Sequence, residues 1–476
     1  MASEVTVGID IGTTSVKAVA ADGDGRVVAR ARVPRRLLAG HAGELAHDAR
    51  SSWHDGVVEA LGRVLSAGRA LAVRGVDVAA MVPSLCAVDD AGRPSSEGLL
   101  YGDTRGAGGD PGADPSTSGE LVRFLAWLAR HHPDAAGYWP AQAVANRALG
   151  GEGAIETTVA MTAVPLFDLH GWDAGVAATA GVDDLGRLPR IVVGSEPVGR
   201  VAAAGGALLG GGTIDALAEQ MVAGADASGD VLVILGSTLI VWAVIPEWCE
   251  AAGLWTVPHT APGRSLIGGP SNAGGLFVAW AGRLLPGSPD GRGEGVAGGS
   301  RSPGGAADPA RVPVWQPYVR GERVPLHDPA RRASLHDLDI GLDAAAVRRA
   351  AYEASAFAAR HMLDLAGVSG TARRIVATGG GVRDPAWVQA LADGTGLPVD
   401  PVAVPEGGAL GAAYLARVTA GLEGSAADAG RWARHGRRVE PDARWVGPCR
   451  DRYARYRELA GGPVPSRASR EGSTGA

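Results

Sequence analysis

Short apolar blocks separated by clusters of glycine and hydroxylated residues open the chain. EVTVGID and VKAVAAD flank a turn of small residues, and Gly23–Gly25 leads into RVVARARV, so residues 4–33 predict three strands. ARSSWHDGVVEALGRVLSAG then carries apolar residues near helical spacing. VDVAAMVPSLCAVDDAGRP reads as two short strands around Met81–Pro83, and SGELVRFLAWLARHHP as an amphipathic helix stopped by Pro133. Residues 157–197 are mixed and rich in loops.

The opening pattern returns at GDVLVILGSTLIVWAVIP, where strand, small turn (Gly236, Ser237, Thr238) and strand follow one another again. This echo predicts two domains of similar build rather than a repeat array. AAAVRRAAYEASAFAARHMLDLAG predicts a long helix, followed by the strand RRIVATGGG and the helix DPAWVQALADGTG. Residues 286–312 hold glycine, proline and serine with little to bury, which predicts a disordered insert, and residues 461–476 read as a flexible tail. The expected division is therefore 1–226 and 227–460, with the boundary after the helix that begins at Asp215. The fold class is α/β, with mixed sheets opened by hairpins instead of an unbroken βαβ series.

Composition narrows the function. A chain of 476 residues is too long for one core and fits two or three domains. It is 46% hydrophobic and 20% charged, an ordinary globular balance. No apolar run approaches the roughly 18 residues a membrane span needs, and MASEVTVGID lacks the pattern of a signal peptide. Cys86, Cys249 and Cys449 are odd in number and far apart, which argues against a disulfide framework or a zinc knuckle and fits a reducing, cytoplasmic setting. The net charge of -6 and the lack of a basic cluster give no reason to expect a nucleic-acid or membrane surface. Lys17 is the one lysine, flanked by Val16 and Ala18, so a Walker P-loop is excluded and the protein-kinase signature fails.

The opening turn can do chemistry. Gly12-Thr13-Thr14-Ser15 would present backbone N–H groups and hydroxyls to phosphate oxygens. Asp10 could hold Mg²⁺ through water, and Lys17 could reach the same phosphates. Taken alone, this stretch fits equally well a turn that Asp10 merely caps. LGSTLIV and ATGGGVRDP add two more small-residue elements at strand ends, and the three together describe a nucleotide held in a cleft between two lobes.

The runs VGIDIGTTSVKAV, LLYGDTRG, GGGTIDALAEQ, GSTLIVW, PYVRGERVPLHDPARRASLHDL, ATGGGVRDPAWVQALADGTGLPV and EGGALGAAYLA, in this order, resemble the FGGY carbohydrate kinases of the actin-like ATPase group. The resemblance is nearest to xylulokinase in layout and spans residues 5 to about 420. It implies two actin-like, ribonuclease H-like domains around a nucleotide cleft, with ATP and Mg²⁺ as cofactors and a sugar or polyol as the small-molecule partner; a homodimer is left open. By position it implies a first phosphate loop of Gly12, Thr13, Thr14 and Lys17 with Asp10 at the metal, and a second of Gly236 and Ser237. Gly275 would approach the nucleotide, Gly380 and Asp384 would sit by the adenosine, and Asp215 would be the general base. Met81, Tyr101, Asp103 and Arg105 would line or brace the sugar pocket.

Asp215 follows three glycines and opens the run DALAEQMVAGA. A helix cap is the simple reading of that feature, yet the position also suits taking a proton from an attacking hydroxyl. The sugar side departs from the xylulokinase pattern: AMVPS stands where Gln-Met-His-Gly is usual, Ala216 follows the base, and Tyr101 replaces a tryptophan. These changes remove hydrogen bonds to a sugar and predict a shifted substrate. A non-catalytic sugar sensor on the same fold is the alternative from another class. An actin- or chaperone-type ATPase has no need for Asp215 or YGDTR, and a nicotinamide enzyme would need a GxGxxG motif that is missing.

Overall fold

In the computed structural model, described for residues 3–40, 44–67, 70–106, 120–285, 307–404 and 406–461, two sheets repeat one scheme. The first contains β1 (Ser3–Ile11), β2 (Ser15–Ala21), β3 (Val27–Pro34), β4 (Leu71–Ala80), β5 (Gly199–Val201), β6 (Ala207–Leu209) and β7 (Thr213–Ile214). Its order is β5-β6-β4-β1-β2-β3, with β7 also paired to β4. The second contains β8 (Asp230–Leu235), β9 (Leu239–Ile245), β10 (Trp255–Pro258), β11 (Ser265–Ser271), β12 (Arg374–Thr378) and β13 (Val399–Pro401), in the order β10-β11-β9-β8-β12-β13. In each, an antiparallel hairpin takes a parallel strand beside its first member: β4 beside β1, and β12 beside β8. The echo of the opening hairpin in the sequence is this shared topology.

The helices used below are α1 (Gly56–Leu65), α2 (Asp215–Ala223), α3 (Gly275–Arg283), α4 (Ala344–Leu365), α5 (Pro385–Thr395), α6 (Gly407–Thr419) and α7 (Ala443–Ala460). The alternation of β1 explains how the first sheet is covered. Val5, Val7, Ile9 and Ile11 enter a core with Trp53, Val57 and Leu61. The opposite face, Thr6, Gly8 and Asp10, meets α6, which comes from the far end of the chain: the Thr6 hydroxyl donates to the Ala413 carbonyl at 2.7 Å. A Cβ on Gly8 would lie 1.9 Å from the Ala409 oxygen, so helix backbone rests directly on strand backbone. Gly75 on β4 meets the Ala416 oxygen in the same way, at 2.3 Å.

The second sheet packs Val231, Val233, Leu235, Ile375 and Ala377 against Trp387 and Leu391 of α5 and the apolar face of α4. Glu353 on α4 is buried and held by Arg349 and by Arg452 of α7, both at 2.8 Å. A smaller five-stranded sheet, absent from the sequence reading as a unit, joins 37–39, 45–47, 98–100, 84–88 and 137–139. With the helix Glu120–His131 it forms its own core around Leu85, Phe124 and Tyr138. Most of the expected insert (286–306) and of the tail (462–476) lies outside the described residues. Among the described residues no helix is long and apolar enough to cross a membrane.

Replacing Gly8 with alanine is expected to cost about 3 kcal/mol and lower the thermal unfolding midpoint, because the new carbon meets backbone that cannot yield. Gly62→Ala on α1, whose added carbon meets nothing within 4 Å, should leave the midpoint unchanged or raise it. Equal midpoints for the two variants would mean that α6 does not sit where it is described.

Candidate active site

The first hairpin places Asp10 and Lys17 as Cα partners across the strands, so their ion pair at 2.8 Å follows from register alone. Burial opposes charge on Lys17, but the Asp10 carboxylate outweighs it and holds the ammonium above the usual lysine range. The other carboxylate oxygen of Asp10, Oδ1, is buried and has no hydrogen-bond partner among the described residues. At the turn, the Gly12 N–H donates to the Ser15 carbonyl at 3.1 Å. Thr14 is exposed, while Thr13 is buried and its hydroxyl meets the Tyr101 hydroxyl at 3.0 Å. His47 fixes the turn from below. Its Nδ1 accepts from the Trp53 indole N–H at 3.0 Å, which leaves Nε2–H to donate to the Thr13 carbonyl at 2.7 Å. Burial keeps this imidazole below the usual histidine range.

Asp215 is the first residue of α2, one past the cap position held by Ile214, and among the described residues its side chain accepts only from the Ala216 N–H, at 2.7 Å. It is brought beside the first hairpin because β7 pairs with β4, Ile214 lying opposite Ala80. The Gln142 amide locks this junction, donating to both the Ala80 and Thr213 carbonyls at 3.1 Å. Met81 therefore lies at the same strand end as Asp215. Burial, then the neighbouring Asp10 carboxylate, pushes the Asp215 carboxyl up to about 6.

Two buried acids escaped the sequence reading. Glu219 lies one helical turn beyond Asp215, which puts both on one face of α2. It is pushed up to about 8, chiefly by burial, and its Oε2 has no hydrogen-bond partner among the described residues. Asp77 interrupts the apolar run of β4; its Oδ1 accepts from the Val78 and Gly212 amides at 2.7 and 3.0 Å, and burial pushes it up to about 7. A Cβ on Gly210 would lie 2.3 Å from its Oδ2, so the glycine segment before Asp215 is moulded around this carboxyl. A lone acid in a buried strand was the available signal.

The second hairpin is seated on α3. The Gly275 and Leu276 amides donate to the Gly236 and Ser237 carbonyls at 2.8 and 2.9 Å, and a Cβ on Gly275 would lie 2.7 Å from the Gly236 oxygen. Gly379 has a φ of 88° and packs on Leu235, while a Cβ on Gly380 would meet nothing within 4 Å. Gly236, Ser237, Gly275 and Gly380 thus gather at the ends of β8 and β12. Asp384 caps α5, accepting from the Ala386 amide at 3.0 Å and from the Tyr352 hydroxyl at 2.6 Å. Asp103 and Arg105 pair with each other at 2.8 Å, and Asp103 also accepts from the Leu45 amide, so they brace the wall that carries Tyr101.

The start of α6 joins the two groups. A Cβ on Gly408 would lie 3.0 Å from the Asp10 carboxyl carbon, and one on Gly407 would lie 3.2 Å from Oγ1 of Thr378 at the end of β12. Glu406, just before, reaches Arg30 of the first sheet at 3.6 Å and Arg383 beyond the second at 3.4 Å. From the second half, Arg323 lays its guanidinium 5.3 Å from the centre of the Tyr101 ring.

Residues 231–420 match the C-terminal domain of the FGGY family of carbohydrate kinases. A xylulose kinase of Streptomyces coelicolor is 28% identical over 457 residues, 90% of each chain. Residues 231–420 are thus an FGGY carbohydrate kinase domain, and the whole chain is similar to kinases of that family. The kinase is a transferase that uses ATP on a sugar. Among solved structures, a xyloylose kinase from Brucella ovis matches with a TM-score of 0.77 at 22% identity, covering 96% of this chain and 98% of that one. A gluconate kinase from Lactobacillus acidophilus matches with a TM-score of 0.75 at 18% identity, covering 96% and 97%. At these identities the two structures establish the actin-like fold of this kinase.

If Asp77 holds the segment before Asp215, Asp77→Ala should lower kcat at least about tenfold through misplacement of the downstream residues. Asp77→Asn keeps an acceptor oxygen and should stay within about threefold. Steady-state kinetics decides; equal losses would show that the segment is held by something else.

Proposed function

We propose that this kinase phosphorylates a hydroxyl of a sugar or polyol, with Asp215 as general base and the triphosphate of ATP between the two hairpins. Residues 1–226 would bring the first phosphate turn, the acceptor pocket and the base. Residues 227–460 would bring the second turn and the nucleotide wall, with α6 returned to the first sheet. The observation that carries the reading is the state of Asp215. Its carboxyl is raised by burial, bonded among the described residues only to its own helix, and set at the strand end that also carries Met81, close to the Asp10–Lys17 pair.

The chemistry follows from that placement. Asp215 accepts the proton of the acceptor hydroxyl as that oxygen attacks the terminal phosphorus, and Asp215 is ionised for this above about pH 6. The Gly12–Ser15 turn and the Gly236–Ser237 turn offer backbone amides to phosphate oxygens, and Lys17 adds a cation. Magnesium, when bound, neutralises charge on the phosphates. The unpartnered Oδ1 of Asp10 fits such an ion through water, since magnesium is commonly held by one or two carboxylates together with phosphate. Xylulose is a reasonable first acceptor to try, given the name of the 28%-identical relative, although Val82, Pro83 and Ala216 offer a sugar no side-chain hydrogen bond.

Coupled ADP release over pentuloses, hexuloses, polyols and aldonates is expected to reveal turnover with at least one of them. Silence across the panel, with binding still seen by calorimetry, would replace the kinase reading by that of a sensor. Asp215→Asn should cut kcat by about 10²–10⁴-fold while ATP still binds. In the unaltered protein, log(kcat/KM) should fall below about pH 6, because the base is then protonated; a rate still flat at pH 5 would remove Asp215 from that role.

A further inference from the structure

Among the described residues two arginines on the acceptor side make no salt bridge, although Asp103 and Glu120 lie near enough to act on Arg320, and Asp215, Glu120 and Glu322 on Arg323. Arg320 and Arg323 leave the second half of the molecule on the Gly-Glu-Arg segment and reach across to Tyr101 and Gly102 of the first. Among the described residues neither forms an ion pair, although most arginines near this cleft do. Arg320 is half-buried, and its only hydrogen bond among the described residues is a long one, 3.4 Å, to the Gly102 carbonyl. Arg323 lies over the Tyr101 ring, and its Nε is buried with no partner.

The segment is built to hold these cations in place. The buried Glu322 carboxylate accepts from the Ser271 hydroxyl at 2.7 Å, the Asn272 amide at 2.8 Å and the Arg323 amide at 2.7 Å. Gly321 has a φ of 73° and packs against Pro329, so the turn that aims the two side chains is fixed by backbone. Nearby carboxylates already have work: Asp103 is paired to Arg105, and Glu120 accepts from the Gly102 amide at 2.6 Å. A guanidinium withdrawn from water with unused N–H groups is costly unless an oxyanion meets it, and its planar fork matches a carboxylate. On the same side, Val82, Pro83 and Ala216 can donate nothing to a neutral sugar from their side chains.

We propose that the acceptor is a sugar acid, a polyhydroxylated carboxylate whose carboxylate is held by Arg320 and Arg323. This deepens the kinase reading above and rests on it. Closing the two halves around such an acceptor would bring its charge to the arginines and its hydroxyl to Asp215.

The test uses matched acceptors that differ in one group, an aldonate and the alditol of the same carbon skeleton, with the full chain and Mg-ATP. The aldonate is expected to give at least about tenfold higher kcat/KM. Arg320→Gln and Arg323→Gln should each shrink that acid-to-neutral ratio about tenfold, mainly through KM for the acid. Arg323→Lys serves where Arg323→Gln does not fold, and should fall between the two because it keeps charge but loses the fork. A wild-type preference for the alditol, a preference for a phosphate-bearing sugar, or an unchanged ratio in both variants would overturn the proposal. If nothing is phosphorylated, the kinase reading fails separately and calorimetry judges this one. Aldonate binding that weakens in Arg320→Gln supports it, and no aldonate binding overturns it.

Discussion

Backbone resting on backbone, with no side chain between, is the contact on which the architecture turns. Helix α6 lies on β1 and β4 through Gly8 and Gly75, and its own Gly411 lies against the Ala218 carbonyl of α2, where a Cβ would come within 2.0 Å. Gly8 and Gly75 remove the layer of side chains that normally separates a helix from a sheet, and Gly411 does the same between the two helices. The gain is proximity: the first residues of α6 reach the Asp10 carboxyl on one side and Thr378 on the other. That seating is what links the ends of the two hairpins through the start of α6.

The electrostatics of the site follow from the same closeness. Asp10, Asp215 and Glu219 are buried near a single lysine, so three carboxylates compete for one ammonium. Lys17 goes to Asp10 because register makes them neighbours. The remaining acids are raised first by burial and then by the Asp10 charge, Asp215 to about 6 and Glu219 to about 8. A carboxyl poised just below neutrality is ionised at working pH and still basic enough to draw a proton, the compromise required of the general base proposed above.

Much of this was legible in the chain. Short apolar blocks on either side of small-residue turns marked β1, β2, β8 and β9, and 3.6-residue spacing marked α4 and α5 close to their observed ends. The small-residue turns marked where strands end, because few other residues can turn so tightly. Three things stayed hidden, each depending on long-range packing. EGGALGAAYLA reads as a helix, but nothing local says that it returns to the first sheet. Glu219 reads as an ordinary helix surface residue until α6 covers it. The five-stranded sheet is assembled from strands of three to five residues, too short to carry a pattern of their own.

The pairing beneath the first turn has a further consequence. With Nδ1 engaged as an acceptor by the Trp53 indole, the His47 ring cannot take a second proton without breaking that bond, and its surroundings disfavour the cation. The imidazole is therefore a spacer of fixed tautomer beneath the loop it props, and burial resists its protonation. Protonation near neutrality falls instead to buried carboxyls, Asp215 at about 6, Asp77 at about 7 and Glu219 at about 8.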